Sequence, residues 1–84
     1  MLEDVNQQFG LTIRKLRQRR RWSQETLAER TQLNRNFLSL IERGQRSPTL
    51  NTIARLAKGL EMPIADLICM CQFEINNTSS RDSD

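Results

Sequence analysis

The chain has no histidine, no tyrosine, one tryptophan and two cysteines. Without histidine, the most frequent general base at neutral pH and a common zinc ligand are both missing. Cys69 and Cys71 cannot by themselves complete a four-ligand zinc site. Two apart on a helix, they point about 200° from each other and cannot readily bridge. They read as free thiols, buried or partly buried. No serine or cysteine stands with a base in a nucleophile pattern, and no carboxylate pair clusters, so no enzyme is expected. Neither a metal nor a cofactor is expected. Apolar residues make up 37 % of the chain, and no run approaches the roughly 18 consecutive apolar residues of a membrane span. The start carries acidic Glu3 and Asp4 and lacks an apolar h-region, so no signal peptide is expected. The expected location is the cytoplasm, with no membrane partner. No internal repeat occurs, and no stretch alternates apolar and polar residues as a half-buried strand would.

What is present is charge, unevenly spread. The formal net charge is only +3. Twelve of the thirteen basic residues nevertheless lie between positions 14 and 58, against three acids there, Glu25, Glu29 and Glu42. An anionic partner is favoured, and nucleic acid is the commonest one in the cytoplasm. The alternative is a solvated basic surface. With 84 residues the chain is one small domain, with a marginal core that gains from association.

Helical spacing dominates and places five segments. The first spans about 4–20, with Phe9, Ile13 and Leu16 as its buried stripe. Gly10 inside it suggests close packing, since glycine otherwise costs a helix about 1 kcal/mol against alanine. The second starts at the N-cap Ser23 and carries Leu27, Ala28 and Thr31 inward. Trp22 just before it reads as a staple residue rather than a base-stacking one. The third lies in 33–44, capped by Asn34 and ended by Gly44. Leu38 and Ile41, with Phe37 beside them, form its apolar face. Two short helices on a three-residue turn make a helix-turn-helix unit. A basic loop with Arg43 and Arg46 follows. Thr49 caps the fourth helix, with Leu50, Ile53, Ala54, Ala57 and Leu60 as its stripe. Pro63 opens a fifth, at about 64–73. The domain is expected over 1–74, with a disordered tail at 75–84 that has no apolar residue beyond Ile75.

The stretches F-G-L-T-I-R-K-L-R (9–17), W-S-Q-E-T-L-A-E-R (22–30), L-S-L-I-E-R-G (38–44) and S-P-T-L-N-T-I-A-R-L-A (47–57) together resemble the phage-repressor-like (Xre-type) helix-turn-helix family. Within it, R-N-F-L-S-L-I-E-R-G and the short length are similar to the controller proteins of restriction-modification systems, and stand-alone phage-type repressors share the motif, so the resemblance implies a regulator of transcription of one of these two types. The resemblance implies an all-α, compact five-helix lambda-repressor-like domain. It implies a homodimer on a two-fold site in double-stranded DNA. It places Arg35 and Asn36 as base readers, with Ser39 and Leu40 one turn on. Gln24, Asn34, Arg43 and Arg46 fall at phosphate-contact positions. Arg17 and Glu42 match a pair that is commonly salt-bridged. Glu42 also wants a cation on its own account, because a carboxylate at a helix C-terminus opposes the macrodipole. Gln32 departs from the pattern, at a turn position where the family often has glycine; a positive φ there costs about 1 kcal/mol.

The chemistry of such a site is plain. Arginine donates two bonds to guanine and asparagine pairs with adenine, each pair discriminating by roughly 1–3 kcal/mol. Phosphate contacts fix register without reading sequence. Ile64, Leu67, Ile68, Cys71 and Phe73 carry more apolar surface than docking a short helix needs, and are the expected dimer seam. No small-molecule effector is expected. The competing reading is a protein-interaction module, such as the DNA-binding antitoxin of a toxin pair. The short tail argues against it.

Overall fold

The structure, a computed structural model, describes residues 2–71; the tail expected at 75–84 and the seam residue Phe73 lie outside the described residues. Five helices follow in order: α1 (Leu2–Arg19), α2 (Gln24–Thr31), α3 (Arg35–Glu42), α4 (Leu50–Gly59) and α5 (Ile64–Cys71). There is no strand among the described residues, and no helix there is long and apolar enough to cross a membrane.

Three helix starts are set by the expected side chains. Ser23 and Thr49 each accept a bond from the amide three residues on, both at 3.1 Å. Asn34 Oδ1 accepts from the amides of Asn36 at 2.8 Å and Phe37 at 3.2 Å. These bonds satisfy donors that the first helical turn leaves unpaired.

The helix ends follow a rule that the sequence does not announce. α1 to α4 are each followed by a left-handed residue: Arg21 (φ 59°), Gln32 (59°), Gly44 (74°) and Glu61 (60°). In each, the next amide donates back five residues: Trp22 to Arg17, Leu33 to Ala28, Gln45 to Leu40 and Met62 to Ala57, at 2.9–3.1 Å. This is the Schellman arrangement, which satisfies otherwise unpaired carbonyls. Only one of the four left-handed positions is glycine. In the other three, the residue after it is Trp22, Leu33 or Met62, and each packs on the core. Burial of that side chain offsets the left-handed conformation's cost.

The core is formed by Phe9, Ile13 and Leu16 of α1, Leu27 and Ala28 of α2, Leu38 and Ile41 of α3, Leu56, Ala57 and Leu60 around α4, and Leu67 and Cys71 of α5. Gly10 lets α1 close on α3, because a Cβ there would collide with the carbonyl oxygens of Ile41 and Glu42. The expected stripe of α4 needs correction. Leu50 is 82 % exposed, whereas Leu56, absent from that stripe, is fully buried. The buried row runs through Thr52, Leu56 and Leu60, four residues apart. Leu50 lies two residues from Thr52, about 200° round the helix.

α5 also departs from expectation. Leu67 and Cys71, expected on a dimer seam, are buried inside one protomer. They offer a partner no surface. Ile64 stays 46 % exposed and Ile68 is partly buried. Burial pushes the Cys71 thiol pKa up, against a smaller opposing effect of a hydrogen bond with Thr12. Cys71 Sγ donates to Leu67 O at 3.3 Å. Cys69 is exposed, and both cysteines are free.

Candidate nucleic-acid interface

α3 divides its residues between two tasks. Leu38 and Ile41 face inward and are fully buried, while Arg35 and Asn36 stand exposed at the N-terminal end. Ser39 and Leu40 are half-buried one turn on, and Arg43 is exposed just past the helix. Spacing of three and four residues puts these five on one outward strip. Asn34 contributes its cap and holds the first turn in shape. Arg35 also lines a shallow cleft of about 680 Å³ at the α2–α3 turn, together with Glu25, Glu29 and Gln32.

The only acid of α3 is turned away from that strip. Glu42 is 5 % exposed. Its carboxylate accepts from Arg17 Nε at 2.8 Å, Arg17 Nη2 at 3.1 Å and Gln24 Nε2 at 3.1 Å. Arg17 Nη1 donates to Trp22 O at 2.9 Å. One carboxylate therefore ties α1, α2 and α3 together. The consequence is electrostatic as well as mechanical: the outward strip of α3 carries cations and neutral groups only. Gln24, expected at a phosphate, spends an amide hydrogen on Glu42. Its side chain is held at the start of α2 by that bond.

The loop after α3 folds back on it. Arg46 lies over the Phe37 ring, 5.4 Å from the centroid, at cation–π distance. Arg43 Nε donates weakly to Ser39 O at 3.4 Å. Arg35, Arg43 and Arg46 are all exposed, so two cations lie in the strip and a third beside it. The basic cluster of α1 is more divided than a solvated face. Arg17 is spent on Glu42. Arg20 bonds to Leu16 O at 3.1 Å and Leu60 O at 3.0 Å. Arg14, Lys15 and Arg19 remain exposed.

Two features were not visible in the sequence. Arg20 and Arg30 both lie over Trp22, at 5.6 and 4.1 Å from the ring centroid. Arg55 of α4 donates to Gln32 O in the turn, at 3.3 Å. Neither contact has a local signal, because each joins residues far apart in the chain or across a helix end. Gln32 itself adopts the positive φ that its departure from the glycine pattern raised.

The helix-turn-helix domain family matches residues 8–67, which take in α2, the turn and α3. The chain belongs to that family. It is 37 % identical over 67 residues to the HTH-type transcriptional regulator SutR of Escherichia coli (strain K12), covering 80 % of this chain. It spans 38 % of that relative's length. It is 35 % identical over 69 residues to the control protein C.BamHI of Bacillus amyloliquefaciens, covering 81 % of this chain and 85 % of that one. Its fold matches the restriction-modification controller protein C.Esp1396I, solved as a tetramer with its natural 35 base-pair operator. That match has a TM-score of 0.75 at 30 % identity, and covers 80 % of this chain and 88 % of the other.

Proposed function

We propose that the helix-turn-helix chain is a sequence-specific regulator of transcription that binds double-stranded DNA as a homodimer, α3 lying in the major groove. The observation that carries this is the outward strip of α3, with Arg35 and Asn36 exposed and Glu42 withdrawn into a buried ion pair. Arg35 and Asn36 read base edges, and Ser39 and Leu40 contact the next step. Gln24, Asn34, Arg43 and Arg46 contact phosphates and fix register. The chain acts by binding and not by catalysis.

One such helix reads only a few base pairs. A dimer doubles the site and sets its reading helices about 34–36 Å apart, one turn of DNA. The free apolar surface of α5, around Ile64 and Ile68, is the proposed seam. Its likeness to C.BamHI over most of both chains favours the controller type, acting on its own promoter. Activity then follows protein concentration through dimerisation, without a small-molecule effector.

Selection of bound duplexes from random DNA tests the proposal. The expected result is a two-fold symmetric site with half-sites about 10 base pairs apart centre to centre. Arg35→Ala should lose about 1–3 kcal/mol of discrimination at one position of each half-site while the fold stays intact. Recovery of no preferred sequence by the unmodified chain would refute the reading.

A further inference from the structure

α4 meets the end of α2 at two places one helical turn apart. At Gly59 the backbones are so close that a Cβ would stand 2.6 Å from Thr31 Cγ2 and 3.1 Å from Arg30 O. Four residues earlier, Arg55 Nη1 donates to Gln32 O at 3.3 Å. Positions four apart on a helix lie on one face. α4 is thus seated against α2 by Gly59 and reaches the turn beyond it through Arg55.

The turn it reaches sets the direction of α3. Gln32 is left-handed (φ 59°), a conformation that is uphill for a residue with a Cβ. Its amide donates to Glu29 O at 3.3 Å, and the Leu33 amide to Ala28 O at 3.0 Å. Both bonds return to α2. Arg55 adds a bond from outside the helix-turn-helix unit. Its charge also suits the C-terminal end of α2, where the macrodipole favours a cation. Asn34 caps α3 two residues after Gln32, and Arg35 and Asn36 follow.

We infer that Arg55 is a positioning residue for α3: through the Gln32 carbonyl it sets the angle at which Arg35 and Asn36 meet base edges. This rests on α3 being the DNA-reading helix. The bond acts on specificity, because phosphate contacts tolerate a small tilt that bidentate base pairs do not.

The test uses the full chain and its Arg55→Met and Arg55→Lys variants. Binding is measured on the selected site and on a random duplex of equal length, across a salt series. Met keeps the apolar stem without the donor; Lys keeps a donor and the charge. For Arg55→Met, affinity for the selected site should fall about tenfold, with random-duplex affinity and the salt slope held and melting temperature little changed. Arg55→Lys should recover part of the loss. In the free protein, the Leu33 amide of Arg55→Met should exchange faster with solvent. An equal loss on both duplexes with a shallower salt slope would make Arg55 a phosphate contact and overturn the inference. Unchanged specificity, or a loss matched by a fall in melting temperature, would also overturn it. Failure of the unmodified chain to prefer any sequence would be seen before any variant is made, and would remove the reading of α3 itself.

Discussion

α3 and α5 are both eight-residue helices that bury one side in the same core, yet their outward sides differ in kind. α3 turns Leu38 and Ile41 inward and leaves Arg35, Asn36, Ser39 and Leu40 facing out. α5 turns Leu67 and Cys71 inward and leaves Ile64, Cys69 and Met70 exposed. α3, with three residues buried, leaves a polar, cationic surface, whereas α5, with two buried, leaves one that is apolar apart from Asp66. A cationic strip suits a phosphate backbone with base edges beneath it. Apolar side chains gain from a second apolar surface, at about 25 cal/mol per Å² removed from water.

Paired substitutions in α5 give the largest effect and the sharpest division within that helix. Leu67→Glu should unfold the domain, because burying a carboxylate without a partner costs several kcal/mol against a small domain's marginal stability. Ile64→Glu should leave the helical circular dichroism and melting of the monomer nearly unchanged and shift sedimentation from dimer to monomer. An intact dimer for Ile64→Glu would move the seam elsewhere.

The next test breaks the internal side of α3. Glu42→Ala leaves Arg17 half-buried without its carboxylate, and should cost about 3–5 kcal/mol in denaturant unfolding. Replacement of both partners by apolar residues should cost much less, since the pair's desolvation penalty goes with it. If the single and double variants lose the same stability, the ion pair does not brace α3.

The outward side is tested more gently. Arg46→Ala should weaken binding to all duplexes alike and lower the salt slope by about one unit. An unaltered slope would remove Arg46 from the phosphate contacts. The smallest effect belongs to the turn. Gln32→Gly relieves a left-handed conformation but frees the unfolded chain, so the net change should stay within about 1 kcal/mol, favouring stability if strain dominates. Chemical denaturation reads it directly.

Much of this was legible in the chain because it is local. The caps at Ser23, Asn34 and Thr49, the inward pair Leu38 and Ile41, and the left-handed Gly44 all follow from residues a few positions apart. The Arg17–Glu42 pair was legible through the resemblance and the macrodipole. The rotation of α4 was not. Its apolar residues offer more than one phase, and contact between Gly59 and the end of α2 accompanies the one that buries Leu56 and exposes Leu50. Nor could α5 reveal which apolar residues were spent at home, because that depends on where α1 and α4 end up.

The strip centred on Arg35 and Asn36 is therefore a product of two levels. Five helices, their starts and the apolar side of α3 follow from propensity, capping and periodicity, which act over a turn or two. Packing between helices adds that Glu42 also holds Gln24, that Arg21, Gln32 and Glu61 end helices without glycine, and that Arg55 reaches the turn. The first two rest on groups brought together across the core, where close packing and the need to pair buried polar atoms select one arrangement among several that the local pattern allows; the Arg55 bond lies exposed, between α4 and the turn that their packing brings beside it.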